Sequence, residues 1–314
     1  MKIILDKGCY RDICDAHPVP IFSQDWWLNV VAGEKDWDVL IAEEGGTFLA
    51  AMPFTLKKIG LFPVVKMPEL TPWLNIWLNY PEESKYATRL AFEKEILMTL
   101  IPHLPQTCRF HQKYHYSLTN WLPFYWCGFK QTTRYSYVLD ELDDVERAFM
   151  NFKKNSRYDI RKAEKQVDVQ AIDDIDVFLY LNHLSFEYRH KKASYSDVLV
   201  KTLDEACRQK SCRKILIAKD AQSRIHAGLY LVWDEYSVYY LMGGSDPKLR
   251  ESNANSLLIW EAIKFAASIQ RAFDFEGSMI EPIERFFRSF GPRQIAYFSI
   301  QKNRFPFSLL EALR

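Results

Sequence analysis

Leu40-Ile41-Ala42-Glu43, then Glu44-Gly45-Gly46, then Thr47-Phe48-Leu49-Ala50-Ala51-Met52-Pro53 reads as a strand, a turn and a second strand. Far along the chain, Leu216-Ile217-Ala218-Lys219, Asp220-Ala221-Gln222-Ser223 and Arg224-Ile225-His226-Ala227-Gly228-Leu229-Tyr230 write the same hairpin again, with a turn about one residue longer. Each copy follows a helical pattern. Ser23 reads as the cap of a helix starting near Gln24-Asp25-Trp26-Trp27, and Tyr195–Gln209 places apolar residues at helical intervals. A shared hairpin in a shared order of elements predicts a duplicated domain, with the two hairpins in equivalent places.

Working outward, the first half reads as strands near Trp37–Glu43 and Thr47–Lys57, a proline-rich loop or edge from Pro63 to Pro72, a helix over about Glu82–Ile101, and strands near Thr107–His111 and Thr133–Leu139. The acidic turn Asp140–Asp144 marks the boundary. The second half opens with a helix from about Asp143, continued or broken near Asn155, to Lys165. It then reads strand (Asp168–Ile172), helices (Asp176–Tyr188, Tyr195–Gln209), three strands (Arg213–Lys219, Arg224–Trp233, Ser237–Gly243), helix (Asn253–Ile269), strand (Ala272–Phe275), helix (Ile280–Ser289) and strand (Gln294–Ile300). The fold class is α+β: two tandem domains over 1–143 and 144–302, with mixed, mostly antiparallel sheets flanked by helices. The segment 303–314 holds Phe305, Phe307, Leu309, Leu310 and Leu313, too apolar for a free tail, and is expected to pack back on the first domain.

The 314 residues suit two domains able to bury their own cores, and 48% apolar with 26% charged residues is a globular composition. A formal net charge of +1 provides no global field for nucleic acid or an anionic membrane, so any basic site is local. Charges interrupt the N-terminus before a signal sequence could form, and no stretch reaches the roughly 18 apolar residues of a membrane helix. The expectation is a soluble, cytoplasmic protein with neither integral membrane association nor DNA binding. Cys9/Cys14 and Cys207/Cys212 share a five-residue offset, but structural zinc pairs sit closer together, and reduced thiols are the better reading.

Three segments carry a family resemblance. Pro123-Phe124-Tyr125-Trp126-Cys127-Gly128-Phe129 with Tyr135-Ser136-Tyr137-Val138-Leu139-Asp140 is one, and Asn155-Ser156-Arg157-Tyr158-Asp159-Ile160-Arg161-Lys162-Ala163-Glu164-Lys165 is the second. Phe273-Asp274-Phe275-Glu276-Gly277-Ser278 with Phe286-Phe287-Arg288-Ser289-Phe290-Gly291 is the third. Together they resemble the interdomain aromatic pattern, the Arg-x-x-Ile-x-Lys-Ala helix and the Asp-Phe-x-Gly and Phe-Lys-x-x-Phe-Gly ending of the FemAB-like acyl and aminoacyltransferases, the tandem form of the GNAT superfamily. Phe287 stands where those enzymes commonly have lysine, and their long helical arm has no counterpart here.

The resemblance implies an N-acyltransferase passing an acyl or aminoacyl group from an activated donor to an amine by direct attack, without a covalent intermediate. The donors it implies are acyl-coenzyme A, aminoacyl-tRNA or an acyl carrier protein, with no tightly bound cofactor and no metal. The acceptor is the amine of a small molecule or of a cell-wall or polysaccharide precursor. An amino-sugar or amino-acid N-acetyltransferase of surface-polysaccharide assembly is the alternative. A binding module that has lost catalysis is a third reading, for which Phe287 speaks.

Acyl transfer needs a neutral amine, donors for a developing oxyanion and a place for the anionic handle of the acyl donor. Asp274 and Glu276 alternate with Phe273 and Phe275, which predicts both carboxylates on one strand face, with Glu276 as base or amine anchor. Lys154, Arg157, Tyr158, Arg161 and Lys165 form a helix stripe that reads either as a solvated face or as an acceptor anchor. Of Tyr239 and Tyr240, one is expected in the core and one in a groove. Gly243-Gly244-Ser245-Asp246-Pro247-Lys248-Leu249-Arg250 leads into a helix beginning near Ser252 or Asn253, an anion site if it is not a plain turn. It has no Gly-x-Gly loop, which argues against coenzyme A bound in the usual GNAT manner. The expected site therefore has Glu276 and Arg288 as catalytic groups, Arg157, Tyr158, Arg161, Tyr239 and Asp274 around the substrate, and Lys248, Arg250 and Asn253 at the donor phosphate. The resemblance implies that it lies in the groove between the halves, on the side of the second. His111 and His115 are set aside because Gln112 stands where a zincin has glutamate, and His226 because packing explains it.

Overall fold

The computed structural model describes residues 1–312. The chain divides into two compact units, Met1–Arg134 together with the chain from Ala296 onward, and Tyr135–Ile295.

The first unit begins with β1 (Lys2–Ile4), α1 (Lys7–Ala16) and α2 (Asp25–Val31), followed by β2 (Trp37–Glu44), β3 (Thr47–Ile59) and β4 (Phe62–Val65). Asp6 starts α1 by accepting from the backbone N–H of Gly8 and Cys9. The residue that caps α2 is Gln24, not Ser23 as expected; the Ser23 hydroxyl is taken by the backbone N–H of Asn75, at 2.6 Å. β5 (Trp77–Leu78) adds to β3, α3 (Tyr86–Leu100) follows, and β6 (Arg109–Lys113) lies parallel to β4. Residues of β2 alternate between two cores, Leu40 and Ala42 on the α3 side, Val39 and Ile41 on the α1 side.

After α4 (Leu122–Trp126), β7 (Lys130–Leu139) carries the chain into the second unit, which holds α5 (Val145–Met150), α6 (Lys154–Ala163), β8 (Asp168–Ile172), α7 (Ile175–Tyr188) and α8 (Asp197–Gln209). Next come β9 (Arg213–Lys219), β10 (Ile225–Trp233), β11 (Ser237–Ser245), α9 (Ala254–Ser268), β12 (Ala272–Asp274) and α10 (Glu281–Arg288). The helix expected to continue or break near Asn155 breaks at residues 151–153, where the Asn151 N–H still closes the end of α5. β13 (Arg293–Asn303) and α11 (Phe307–Ala312) return to the first unit.

Both units have one strand plan. In the first, β1, β2, β3 and β4 run antiparallel in order, with β6 parallel to β4. In the second, β8, β9, β10 and β11 do the same, with β12 parallel to β11. The sixth strand is antiparallel in each. It comes from the chain end in the first unit (β13 on β6) and from the connecting segment in the second (β7 on β12). This exchange moves the boundaries. They were expected at 143/144 and 302/303, but Tyr135–Leu139 belongs with the strand it pairs, and so does the chain from Ala296. In the C-terminal segment the Arg304 N–H donates to the Cys108 carbonyl at 2.8 Å, and Phe307 sits edge-on to Phe62. The expectation for Leu313 lies outside the described residues.

In the second unit, β10 sends Ala227, Leu229 and Leu231 into the core under α9, while Gly228 and Tyr230 face Phe178 and Leu181 of α7. The two helices therefore cover opposite faces of the sheet.

Candidate active site

The site arises where two strands part. β11 and β12 pair only over Ser237↔Ala272, Val238↔Phe273 and Tyr239↔Asp274. β12 then ends, so from Tyr240 onward the edge of β11 faces a cavity instead of a strand. On the other edge, pairing with β10 jumps between Tyr240 and Met242, leaving Leu241 as a bulged residue. An extra residue in one strand bends and twists it, which widens the parting. The cavity of about 600 Å³ runs along Tyr240–Ser245 and the turn after β12, with walls from α7 and α10, all within the second unit.

α7 holds the open strand in place. The Asn182 amide donates to the Gly243 carbonyl at 2.9 Å and accepts from the Tyr195 hydroxyl at 3.1 Å. The Ser185 hydroxyl accepts from the Ser245 N–H at 2.7 Å. Helix and strand come this close because position 244 has no side chain: a Cβ there would lie 2.4 Å from the Asn182 nitrogen.

Inside the cavity, Tyr240 lies across β11, its ring 5.4 Å from Phe287 and its hydroxyl over Gly243. Burial pushes its phenol up to about 12, with Arg189 opposing and Glu276 reinforcing the rise. At neutral pH it is a proton donor. Glu276 lines the same cavity with a backbone φ of +56°, next to Gly277 at +67°. Left-handed backbone at a non-glycine residue costs on the order of 1 kcal/mol and collects at functional positions. The turn holds this shape because Asp274, fully buried, accepts from the Glu276 N–H at 2.8 Å and from the Ser136 hydroxyl. Arg189 and Arg250 bring positive charge to the cavity, and Arg250 donates to the Tyr188 hydroxyl at 2.9 Å. Phe287 is a wall residue packed on Phe275 and gives the cavity an apolar surface at this position.

Of the ten expected site residues, only Glu276 and Arg250 line the cavity. Tyr239 is buried on the opposite face of β11, its hydroxyl on Asp234 at 3.0 Å; strand alternation makes Tyr240 the groove residue. Asp274 shapes the turn and does not line the cavity. Arg288 pairs with Glu284 one helical turn earlier, at 2.7 Å, and Glu284 also accepts from Tyr137. Arg157 donates to the Met150 carbonyl, Arg161 lies 5.7 Å over Phe149, and Tyr158 is exposed; α6 turns this stripe away from the cavity. Lys248 is exposed on a 3-10 turn, and Asn253, at φ +59°, donates to Asp159. Sequence reasoning missed Asn182, Ser185, Arg189 and Tyr195. The cation-rich run Tyr188-Arg189-His190-Lys191-Lys192 was their one visible signal.

His226, set aside as packing, has a larger structural role. It is buried between Asp220, at 3.0 Å, and Ser252, at 2.8 Å, and Ser252 in turn donates to the Leu249 carbonyl. This network fastens the turn Pro247–Ser252, which carries Arg250. Among the described residues no group of His, Cys, Asp and Glu is arranged to hold a metal, and no helix is long and apolar enough to cross a membrane.

Residues 150–279, which include β11, β12 and the cavity turn, match the acetyltransferase (GNAT) domain family. FemX superposes with a TM-score of 0.68 at 11% identity, covering 95% of this chain and 97% of FemX. The fold is FemAB-like. The C-terminal domain of a putative lysylphosphatidylglycerol synthetase from Agrobacterium fabrum is similar, with a TM-score of 0.56 at 10% identity over 90% of each chain. So is a tandem GNAT protein from the clavulanic acid biosynthesis pathway, with a TM-score of 0.53 at 10% identity over 96% of this chain and 97% of that one. No curated protein matches the chain by sequence. These superpositions establish the FemAB-like tandem GNAT fold and leave the substrates to the site itself.

Proposed function

We propose that the cavity of the second unit transfers an acyl or aminoacyl group from a phosphate-bearing donor to a primary amine. The observation that carries this reading is the parted edge of β11, which offers backbone groups to a carbonyl, with Tyr240, Glu276, Arg189 and Arg250 gathered around it. The arginines take the donor's anionic handle, since a guanidinium fork suits phosphate. The donor's carbonyl lies along β11, whose N–H groups stabilise the oxyanion as it develops. The amine nitrogen attacks, a C–N bond forms, and its proton passes to Glu276. The C–O or C–S bond to the handle breaks, and the leaving oxygen or sulfur takes the Tyr240 proton. No covalent enzyme intermediate is required.

The test begins with melting-temperature shifts for acetyl-coenzyme A, aminoacyl-tRNA and an acyl carrier thioester, because a ligand of the folded state raises stability. Turnover with the donor found is then measured for Glu276→Gln and Tyr240→Phe. Each is expected to fall about a hundredfold with the melting temperature preserved. If activity falls only as far as stability does, Glu276 is structural and the reading fails.

A further inference from the structure

The β3–β4 hairpin of the first unit ends in an apolar tip. Ile59, Leu61 and Phe62 stand out around the turn, and Leu61 is 93% exposed. Phe62 meets Phe307 edge-on at 6.0 Å, which brings the start of α11 alongside, and there Phe305 is 72% exposed. This is a protrusion of large apolar side chains in one place, a feature that water-facing surfaces avoid unless it is used.

Beside the tip is a hollow of about 330 Å³, also within the first unit. Leu104, Pro105, Phe110 and Phe129 line it, and Lys302 and Arg304 bring two positive charges; none of the described residues lining it is acidic. The Lys302 ammonium donates to the Cys127 carbonyl at 2.7 Å and lies 4.9 Å from the Phe129 ring centre, and Arg304 donates to Gln106. The bonds named occupy one donor of each cation, and an ammonium has three donors and a guanidinium five. Cys108 links tip and hollow: its N–H donates to the carbonyl of Pro63, next to the hairpin turn, and its own carbonyl accepts from the Arg304 N–H.

We infer that the first unit docks on an anionic phospholipid surface, the hairpin tip entering the acyl region while Lys302 and Arg304 take a headgroup phosphate. The shape selects this occupant. A protein partner, or a second copy, has to supply a pocket complementary to each protruding side chain, whereas a bilayer accepts a convex apolar tip of any contour. The charges select the lipid: exposed Lys58 on the hairpin and the two cations of the hollow favour a negative surface. The chain's near-zero net charge is no obstacle, because the attraction is local and decays within a Debye length. The inference is independent of the acyl-transfer reading and concerns the other unit.

The full chain is sedimented with vesicles of phosphatidylcholine alone and of phosphatidylcholine containing phosphatidylglycerol. Binding is expected to be about tenfold or more stronger to the mixed vesicles and to weaken as salt is raised. A Leu61→Ser, Phe62→Ser double variant should lose roughly tenfold or more in binding to them. Lys302→Ala with Arg304→Ala should retain weak binding and lose the preference for phosphatidylglycerol. The hairpin substitutions are exposed, and unchanged melting temperatures verify that the variants fold. Failure of the wild type to sediment with the mixed vesicles, or equal binding by the hairpin variant, overturns the proposal. So does a concentration-dependent dimer that the hairpin variant abolishes in the absence of vesicle binding, since the tip would then belong to a second copy.

Discussion

Gly244→Ala tests whether the close approach of α7 to β11 shapes the cavity. The added Cβ would stand 2.4 Å from the Asn182 nitrogen, 2.6 Å from the Leu181 carbonyl carbon and 2.8 Å from the Asn182 Cα. All three atoms are backbone, so no side chain can rotate away. Ordinary contact is about 3.5 Å or more, and helix and strand must part by roughly 1 Å. That movement strains the Asn182–Gly243 and Ser185–Ser245 hydrogen bonds, each worth about 1 kcal/mol, on top of about 1–3 kcal/mol for overpacking. The sum, roughly 3–5 kcal/mol, is a large part of the ~5–15 kcal/mol that holds a domain together. Urea unfolding of the full chain, read with amide exchange along β11, should show the second unit's midpoint lowered by about 2 M for a slope near 2 kcal/mol/M. Gly46→Ala is the control. Its φ is +85° and nothing lies within 4 Å of the new Cβ, so it should cost only about 1 kcal/mol for the backbone conformation. If Gly244→Ala unfolds within about 0.5 kcal/mol of wild type, the contact is not the constraint described and the argument for the clamped strand fails.

The neighbouring tyrosines should separate cleanly: Tyr239→Phe loses one buried hydrogen bond, about 1 kcal/mol of stability, with turnover intact, while Tyr240→Phe shows the reverse in paired melting and kinetic assays. Arg288→Ala removes an exposed ion pair with Glu284, and such pairs contribute little; both unfolding midpoint and turnover are expected to stay at wild-type values. The Asp220 carboxyl is held below the usual carboxylate range, first by its hydrogen bond to His226 and then by its bonds from Arg224. A carboxyl lowered by folding stabilises fully above its unfolded value of about 4 and loses that contribution as pH falls below it. The stability gap between wild type and Asp220→Asn, measured by denaturant titration, should therefore be widest near neutral pH and shrink below about pH 4.

The duplication was legible because it is carried by local patterns. The repeated hairpin and the alternation of helix and strand depend on neighbours in sequence, and the second unit's elements fall within a few residues of expectation. The strand exchange was not legible. Whether Thr133–Leu139 serves the sheet before it or the sheet after it is a question of pairing partners, and a strand's own residues carry no record of which edge they join. Nothing in that run distinguishes a first-unit strand from the partner that β12 takes.

The site followed the same division. Glu276 and Arg250 were singled out because each sits at the end of an element, where sequence reading looks for function, and both line the cavity. Arg157, Arg161 and Arg288 were drawn in by their charge together with the family resemblance, and their partners explain why charge misleads: a carbonyl, a ring or a carboxylate on the same or the preceding helix satisfies each one locally. A cation read from sequence carries no information on whether a neighbour has already claimed it. Tyr240 and Tyr239 show how fine the distinction is, since one step along a strand exchanges cavity for core. The bulge at Leu241 was the least visible feature of all. It consists of one unpaired residue, defined only by what stands opposite, yet it turns a continuous sheet into a parted one and so makes the cavity in which every other group of the site acquires its role.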